Sequence, residues 1–137
     1  MNILFLLTPK AKCAYLRAED TVRQALERME SSGYAALPIL AKDGTYKGTL
    51  TEGDLLWAFK NSPGFSFMDA EKMMLSDIPR HFHYETVAID QPMDSLIGAS
   101  YRQSFVPVVD DNEIFIGLIK RSDIIRYFYR RYQQANQ

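Results

Sequence analysis

Apolar positions along this chain change period several times, and each change marks an element. After Asp20-Thr21, which suits a helix N-cap, Val22, Ala25, Leu26 and Met29 recur at the i, i+3, i+4, i+7 spacing of one helical face. Gly33 is a natural stop for that helix, because a helix end favours a left-handed residue. The unbroken run from Ala36 to Leu40 reads as a buried strand, Asp43-Gly44 as a hairpin turn, and Tyr46 to Leu50 as the returning strand. A second helix is predicted from near Thr51, carrying Leu55, Leu56, Ala58 and Phe59, and a short strand over Cys13 to Leu16 precedes the set.

The order strand, helix, strand, strand, helix then returns. Thr86 to Ile89, a helix from about Gln91 to Tyr101, Phe105 to Val109, Ile114 to Ile119 and a helix from Ser122 form the second set. The register is constant: Pro38 and Pro107, Gly48 and Gly117, and Asp54 and Asp123 are each 69 residues apart. Thr8-Pro9-Lys10 opens the first set and Ile78-Pro79-Arg80 the second. A repeat of this length predicts two copies of one small unit that complete a core together. We therefore expect a mixed α/β (α+β) fold of two pseudo-symmetric units, residues 8–60 and 78–130, joined by an inter-unit segment at 61–77. In that segment Asn61-Ser-Pro-Gly64 is loop material, and a short helix is expected over Asp69 to Leu75.

Composition narrows the function classes. Of 137 residues, 47% are apolar and 12% aromatic, enough for a packed core. A net charge of −1 gives no general attraction to nucleic acid or to an anionic membrane. Met1 to Leu7 is apolar but far too short to span a bilayer, and it lacks the basic leader of a signal peptide, so a strand or helical turn at the domain edge is expected. The lone Cys13 forms no internal disulfide and suits a reducing compartment. A soluble, cytoplasmic protein is the expectation.

Candidate chemistry concentrates at two helix starts. Thr51-Glu-Gly-Asp54 has a bland explanation as a capping box, which needs only the helix's own amides. Lys120-Arg-Ser-Asp123 has no hydroxyl at its first position and keeps the aspartate. Unpaired amides and the helix dipole at such a start attract phosphate, and a neighbouring carboxylate accepts hydrogen bonds from ribose hydroxyls. His81 and His83 lack partners for a metal site, so none is expected; they read as exposed or as reaching toward a phosphate with Arg80. The tail from Arg126 to Tyr132 alternates basic and aromatic residues. Such a pattern can stack single-stranded nucleic acid, but the acidic overall charge favours a dimer interface.

The element order, the proline-bearing strand and Gly48-x-x-Thr51-x-x-Asp54, with its counterpart from Gly117 to Asp123, resemble a tandem pair of cystathionine beta-synthase (CBS) domains, the Bateman module. The resemblance covers about Thr8 to Tyr129. It implies two clefts that take adenosine-containing ligands such as AMP, ADP, ATP or cyclic di-AMP. One cleft would use Asp54 for ribose and Thr51 for phosphate, with Val87, Ser104, Phe105 and Pro107 around the base. The favoured cleft would use Asp123 for ribose and Lys120, Arg121 and Ser122 for phosphate, with Thr8 and Lys10 nearby. Its base pocket would hold Ala14, Tyr34, Ala35 and Pro38. Lys120 departs from the family's Ser or Thr, and a charged donor there strengthens phosphate binding, whereas Glu52 beside Thr51 opposes it. The expectation is a ligand-sensing regulatory module, homodimeric, without cofactor or catalysis, acting on a protein effector. The rival is a ligand-independent scaffold whose aspartates are helix caps.

Overall fold

The structure, a computed structural model, describes residues 2–137, so Met1 of the opening segment lies outside it. The fold is mixed α/β, with four α-helices and two small sheets. After a 3-10 turn at Ile3–Leu6 come β1 (Thr8–Pro9), β2 (Leu16–Arg17), α1 (Val22–Ser32), β3 (Ala36–Leu40), β4 (Tyr46–Thr51) and α2 (Glu52–Lys60). The second repeat supplies β5 (Val87–Ala88), α3 (Met93–Ser100), β6 (Phe105–Val109), β7 (Phe115–Lys120) and α4 (Arg121–Ala135). Helix α3 is shorter than the Gln91–Tyr101 expected, because Pro92 takes the N-cap position and the Gln91 side chain accepts from the Ala88 N–H at 2.6 Å. The first strand of each repeat is two residues long, and in the first repeat it lies at Leu16–Arg17 rather than Cys13–Leu16. No helix among the described residues is long and apolar enough to cross a membrane.

The chain divides into two compact bodies, Ala14–His83 and the chain up to Cys13 together with Tyr84–Gln137. In the 14–83 body the strand order is β2-β3-β4, with β3 parallel to β2 and antiparallel to β4. Helix α1 starts with a full capping box between Thr21 and Gln24 and stops at Gly33, whose φ of +76° is the left-handed cap. Its Val22, Ala25 and Met29 pack against Leu37, Ile39 and Leu50. The segment after α2 belongs to this core, since Ala70, Leu75 and Ile78 are all buried in the same cluster. In place of one helix over Asp69–Leu75 there are two 3-10 turns, Asp69–Glu71 and Leu75–Asp77. Between them the Met73 carbonyl accepts from the Val22 N–H at 2.8 Å and the Leu75 N–H donates to Asp20, so backbone groups a helix would use internally go to α1's start.

The terminal body has the order β1-β7-β6-β5 and a core of Ile3, Val87, Leu96, Val106, Val108, Ile119 and Ile124. Buried Gln103 ties the lead segment of the second repeat to β6. Its Oε1 accepts from Glu85 N–H at 2.7 Å, and its Nε2 donates to the Glu85 and Phe105 carbonyls.

Two features explain how the repeat folds twice. Pro38 and Pro107 sit in central strands, where a missing N–H would normally break a ladder. Here β2 pairs only with Ile39 and Leu40, and β5 only with Val108 and Val109, so each proline lies just before its second neighbour begins. The second feature is glycine. Gly117, at φ +156°, faces β1: a Cβ there would collide with the Thr8 carbonyl oxygen and stand 3.1 Å from Pro9 Cα. Gly48, at φ +121°, faces Arg80, whose Nη1 donates to the Lys47 carbonyl at 3.1 Å. Thus each lead segment packs on the returning strand of the other repeat. The packing bodies therefore divide the chain at Cys13 and His83 rather than at the 8–60 and 78–130 limits of the sequence repeat.

Candidate functional site

The two helix starts, near-equivalent in sequence, are built differently. In the 14–83 body Thr51 caps α2 reciprocally: its Oγ1 accepts from Asp54 N–H at 3.1 Å, and Asp54 Oδ2 accepts from Thr51 N–H at 3.1 Å. Asp54 is 2% exposed, and its Oδ1 accepts from the His81 N–H at 3.0 Å with His81 Nδ1 at 3.3 Å. Both oxygens of this carboxylate are therefore held by the body itself. The capping-box explanation describes Thr51-Asp54 in this structure, and His81 completes it.

In the terminal body α4 starts without a side-chain cap, as Lys120 predicted, although Lys120 makes other interactions. The Arg121 N–H donates to the Ser104 carbonyl at 2.9 Å, matching Glu52 N–H to the Ala35 carbonyl at the other start. Ser122 is exposed and Asp123 half-buried. Asp123 Oδ1 accepts from Arg126 Nη1 at 2.8 Å. Beside this pair opens a hollow of about 360 Å³, lined by Phe5, Leu6, Leu7 and Thr8 on one wall and Asp123, Arg126, Tyr127 and Arg130 on the other. Thr8 is thus brought to Asp123, and half-buried Lys10 opens the turn that follows β1. The Cys13 thiol lies on the same arm, 3.3 Å from the Pro9 carbonyl, and burial pushes its pKa up, which leaves little thiolate at neutral pH.

The residues expected around the base fall in both bodies. Ala14 is half-buried, Tyr34 and Ala35 are exposed just ahead of β3, and Pro38 is buried within it. Ser104 is exposed just ahead of β6, Phe105 is 7% exposed with its ring tilted at 45° against Tyr84, and Val87 and Pro107 are buried. The sequence reading missed the roles of His81, Arg126 and Arg130. The last two stand three and seven residues beyond Asp123, on its own helical face, and that spacing was visible in the sequence. His81 reaches Asp54 from 27 residues away, and no local pattern signals it.

With two body cores of this topology and two Gly-x-x-x-x-x-Asp helix starts, the family can be tested directly. The sequence model of the CBS domain matches residues 7–61 and again 70–130. The chain belongs to the CBS domain family, as a tandem pair. The Cyclic di-AMP receptor B of Bacillus subtilis is 22% identical over 131 residues, covering 92% of this chain and 85% of that protein. Among solved structures, the CbpB protein of Listeria monocytogenes in complex with c-di-AMP superposes with a TM-score of 0.83 at 17% identity, covering 93% of this chain and 95% of the other. A hypothetical conserved protein from Geobacillus kaustophilus gives 0.86 at 20% identity, covering 96% and 98%. At these identities the structural likeness is one of fold.

Proposed function

We propose that this chain is a regulatory nucleotide sensor that binds an adenosine-containing ligand at Asp123, with cyclic di-AMP the leading candidate. The observation that carries the reading is the difference between the two aspartates. Asp54 is buried and spent on its own body, whereas Asp123 borders an open hollow on an uncapped helix start rich in cations. We assign ribose to Asp123, phosphate to Lys120, Arg121 and Ser122 with Thr8 and Lys10, and base contacts to Ala14, Tyr34, Ala35 and Pro38. Membership of the CBS family and a relative named Cyclic di-AMP receptor B support the nucleotide-sensing reading. The role is binding rather than catalysis, in the cytoplasm where such nucleotides are made, with a protein effector as the output.

A thermal-shift panel of AMP, ADP, ATP, cyclic di-AMP and S-adenosylmethionine tests it, because a ligand of the native state raises the melting temperature. Cyclic di-AMP is expected to give the largest rise, and Asp123→Ala to reduce it more than Asp54→Ala. If no member of the panel moves the transition at millimolar concentration, the sensor reading is wrong and the scaffold reading replaces it.

The homodimer is part of the same proposal. The 14–83 body carries an open groove of about 1070 Å³ with apolar Leu26, Leu56, Phe59 and Phe67 and charged Arg23, Glu27, Glu30 and Glu52, a formal net of −2. Helix α4 exposes Ile125, Phe128, Tyr129 and Tyr132 at i, i+3, i+4, i+7, flanked by arginines. Helix-in-groove docking uses that spacing, and the charges are opposite. A second copy's α4 is the occupant we assign to the groove.

A further inference from the structure

We propose that a hollow at the end of α2 binds a small organic cation of the alkylammonium class, in the place where the other repeat carries its arginine-lined hollow. The inference is independent of the ligand assigned to Asp123. The hollow, of about 300 Å³, is lined by Trp57, Ala58 and Asn61 from the end of α2 and by Asp77, Pro79 and His81 from the segment after it. All six belong to the 14–83 body. Trp57, Ala58 and Asn61 precede Arg126, Tyr127 and Arg130 by 69 residues each, the spacing of the sequence repeat. Those three line the hollow beside Asp123. The repeat has therefore made one hollow twice and lined it differently.

The difference is one of charge. Beside Asp123 the two arginines outweigh the carboxylate, a formal excess of one positive charge. At the end of α2 the ionisable side chains are Asp77 and His81, a formal −1 with histidine neutral. Trp57 is 44% exposed, and an indole face is the best of the aromatic surfaces for a cation. Lys60 Nζ lies 5.9 Å from its ring centroid, so the ring already draws one ammonium from its own helix. Asp77 Oδ2 accepts from the Met74 N–H at 3.2 Å, which fixes the carboxylate and leaves it lone pairs for a further donor. Asn61 is the C-cap of α2, where the helix carbonyls leave partial negative charge that favours a cation. A phosphate there would meet both the carboxylate and the wrong end of the helix dipole. The volume is at the lower end for a ligand pocket, which suits a short amine rather than a nucleotide.

Trp57 is the chain's one tryptophan, so it reports on this hollow alone. Butylammonium chloride titrated at neutral pH should change its fluorescence and shift its indole N–H resonance with a saturable, millimolar dependence. Butan-1-ol, of like size and uncharged, and sodium chloride at the same concentration should do neither. Asp77→Asn keeps an oxygen for the Met74 N–H while removing the charge, and should weaken butylammonium by about tenfold, the scale of one charge-assisted contact. Circular dichroism checks that this variant is folded, and the comparison of amine with alcohol on wild type stands without it. A wild type in which neither signal responds to butylammonium would overturn the cation site. So would an equal response to butan-1-ol or to sodium chloride, or an unchanged affinity in folded Asp77→Asn.

Discussion

Asp54 and Asp123 occupy the same place in a repeated motif and meet different physics. Asp54, 2% exposed, accepts hydrogen bonds from Thr51 and His81, so truncating it removes the cap of α2 and its tie to His81. Asp54→Ala should cost about 1.5–3 kcal/mol of stability, the scale of hydrogen bonds to a charged acceptor. Asp123 holds a partly exposed ion pair with Arg126, and Asp123→Ala should cost less than about 1 kcal/mol. Urea unfolding midpoints compare the two directly; similar losses would contradict this division of labour. The motif was plain in the sequence, down to Lys120 being unable to cap. That Asp54 would be consumed by a histidine distant in the chain was not, because hydrogen-bond partners across a fold leave no periodic trace.

Element existence followed from local rules. Helix α1 lies between its capping box and Gly33, and β3 and β6 are continuous apolar runs whose prolines sit where only one neighbour is present. Boundaries moved where a backbone group found a tertiary partner, as at Met73, or where a side chain replaced a helical turn, as at Gln91. Strand β1 is the clearest case. Two residues cannot form a stable pair alone, and Thr8–Pro9 is a strand only because Gly117 leaves room for it. Gly117→Ala combines that clash with a backbone conformation alanine disfavours, and should destabilise the protein by more than about 1 kcal/mol. Hydrogen exchange provides the sharper check: in Gly117→Ala the amides of Thr8 and Leu118 should lose protection before those of β6. Unchanged protection there would show that the arm does not depend on this glycine.

At the level of the whole molecule, a sequence repeat and a packing body are different units. The repeat counts similar residues, while the body is decided by which surfaces bury one another, and the lead segments change sides between the two. The same distinction applies between copies. If α4 seats in a second copy's acidic groove, light scattering at micromolar concentration should give a dimer, and Ile125→Glu with Tyr129→Glu should give a folded monomer. A wild type that stays monomeric at high concentration would count against that interface. The sequence by itself determined the α/β class, the twofold repeat, the family resemblance and the inequality of the two helix starts, because these reside in period, spacing and residue type. Only the tertiary structure decided that His81 closes Asp54, that the Thr8 arm joins β7, and that Arg126 and Arg130 line a hollow with Asp123. Each depends on groups far apart in the chain meeting at a distance of a few ångströms, and only packing sets such distances.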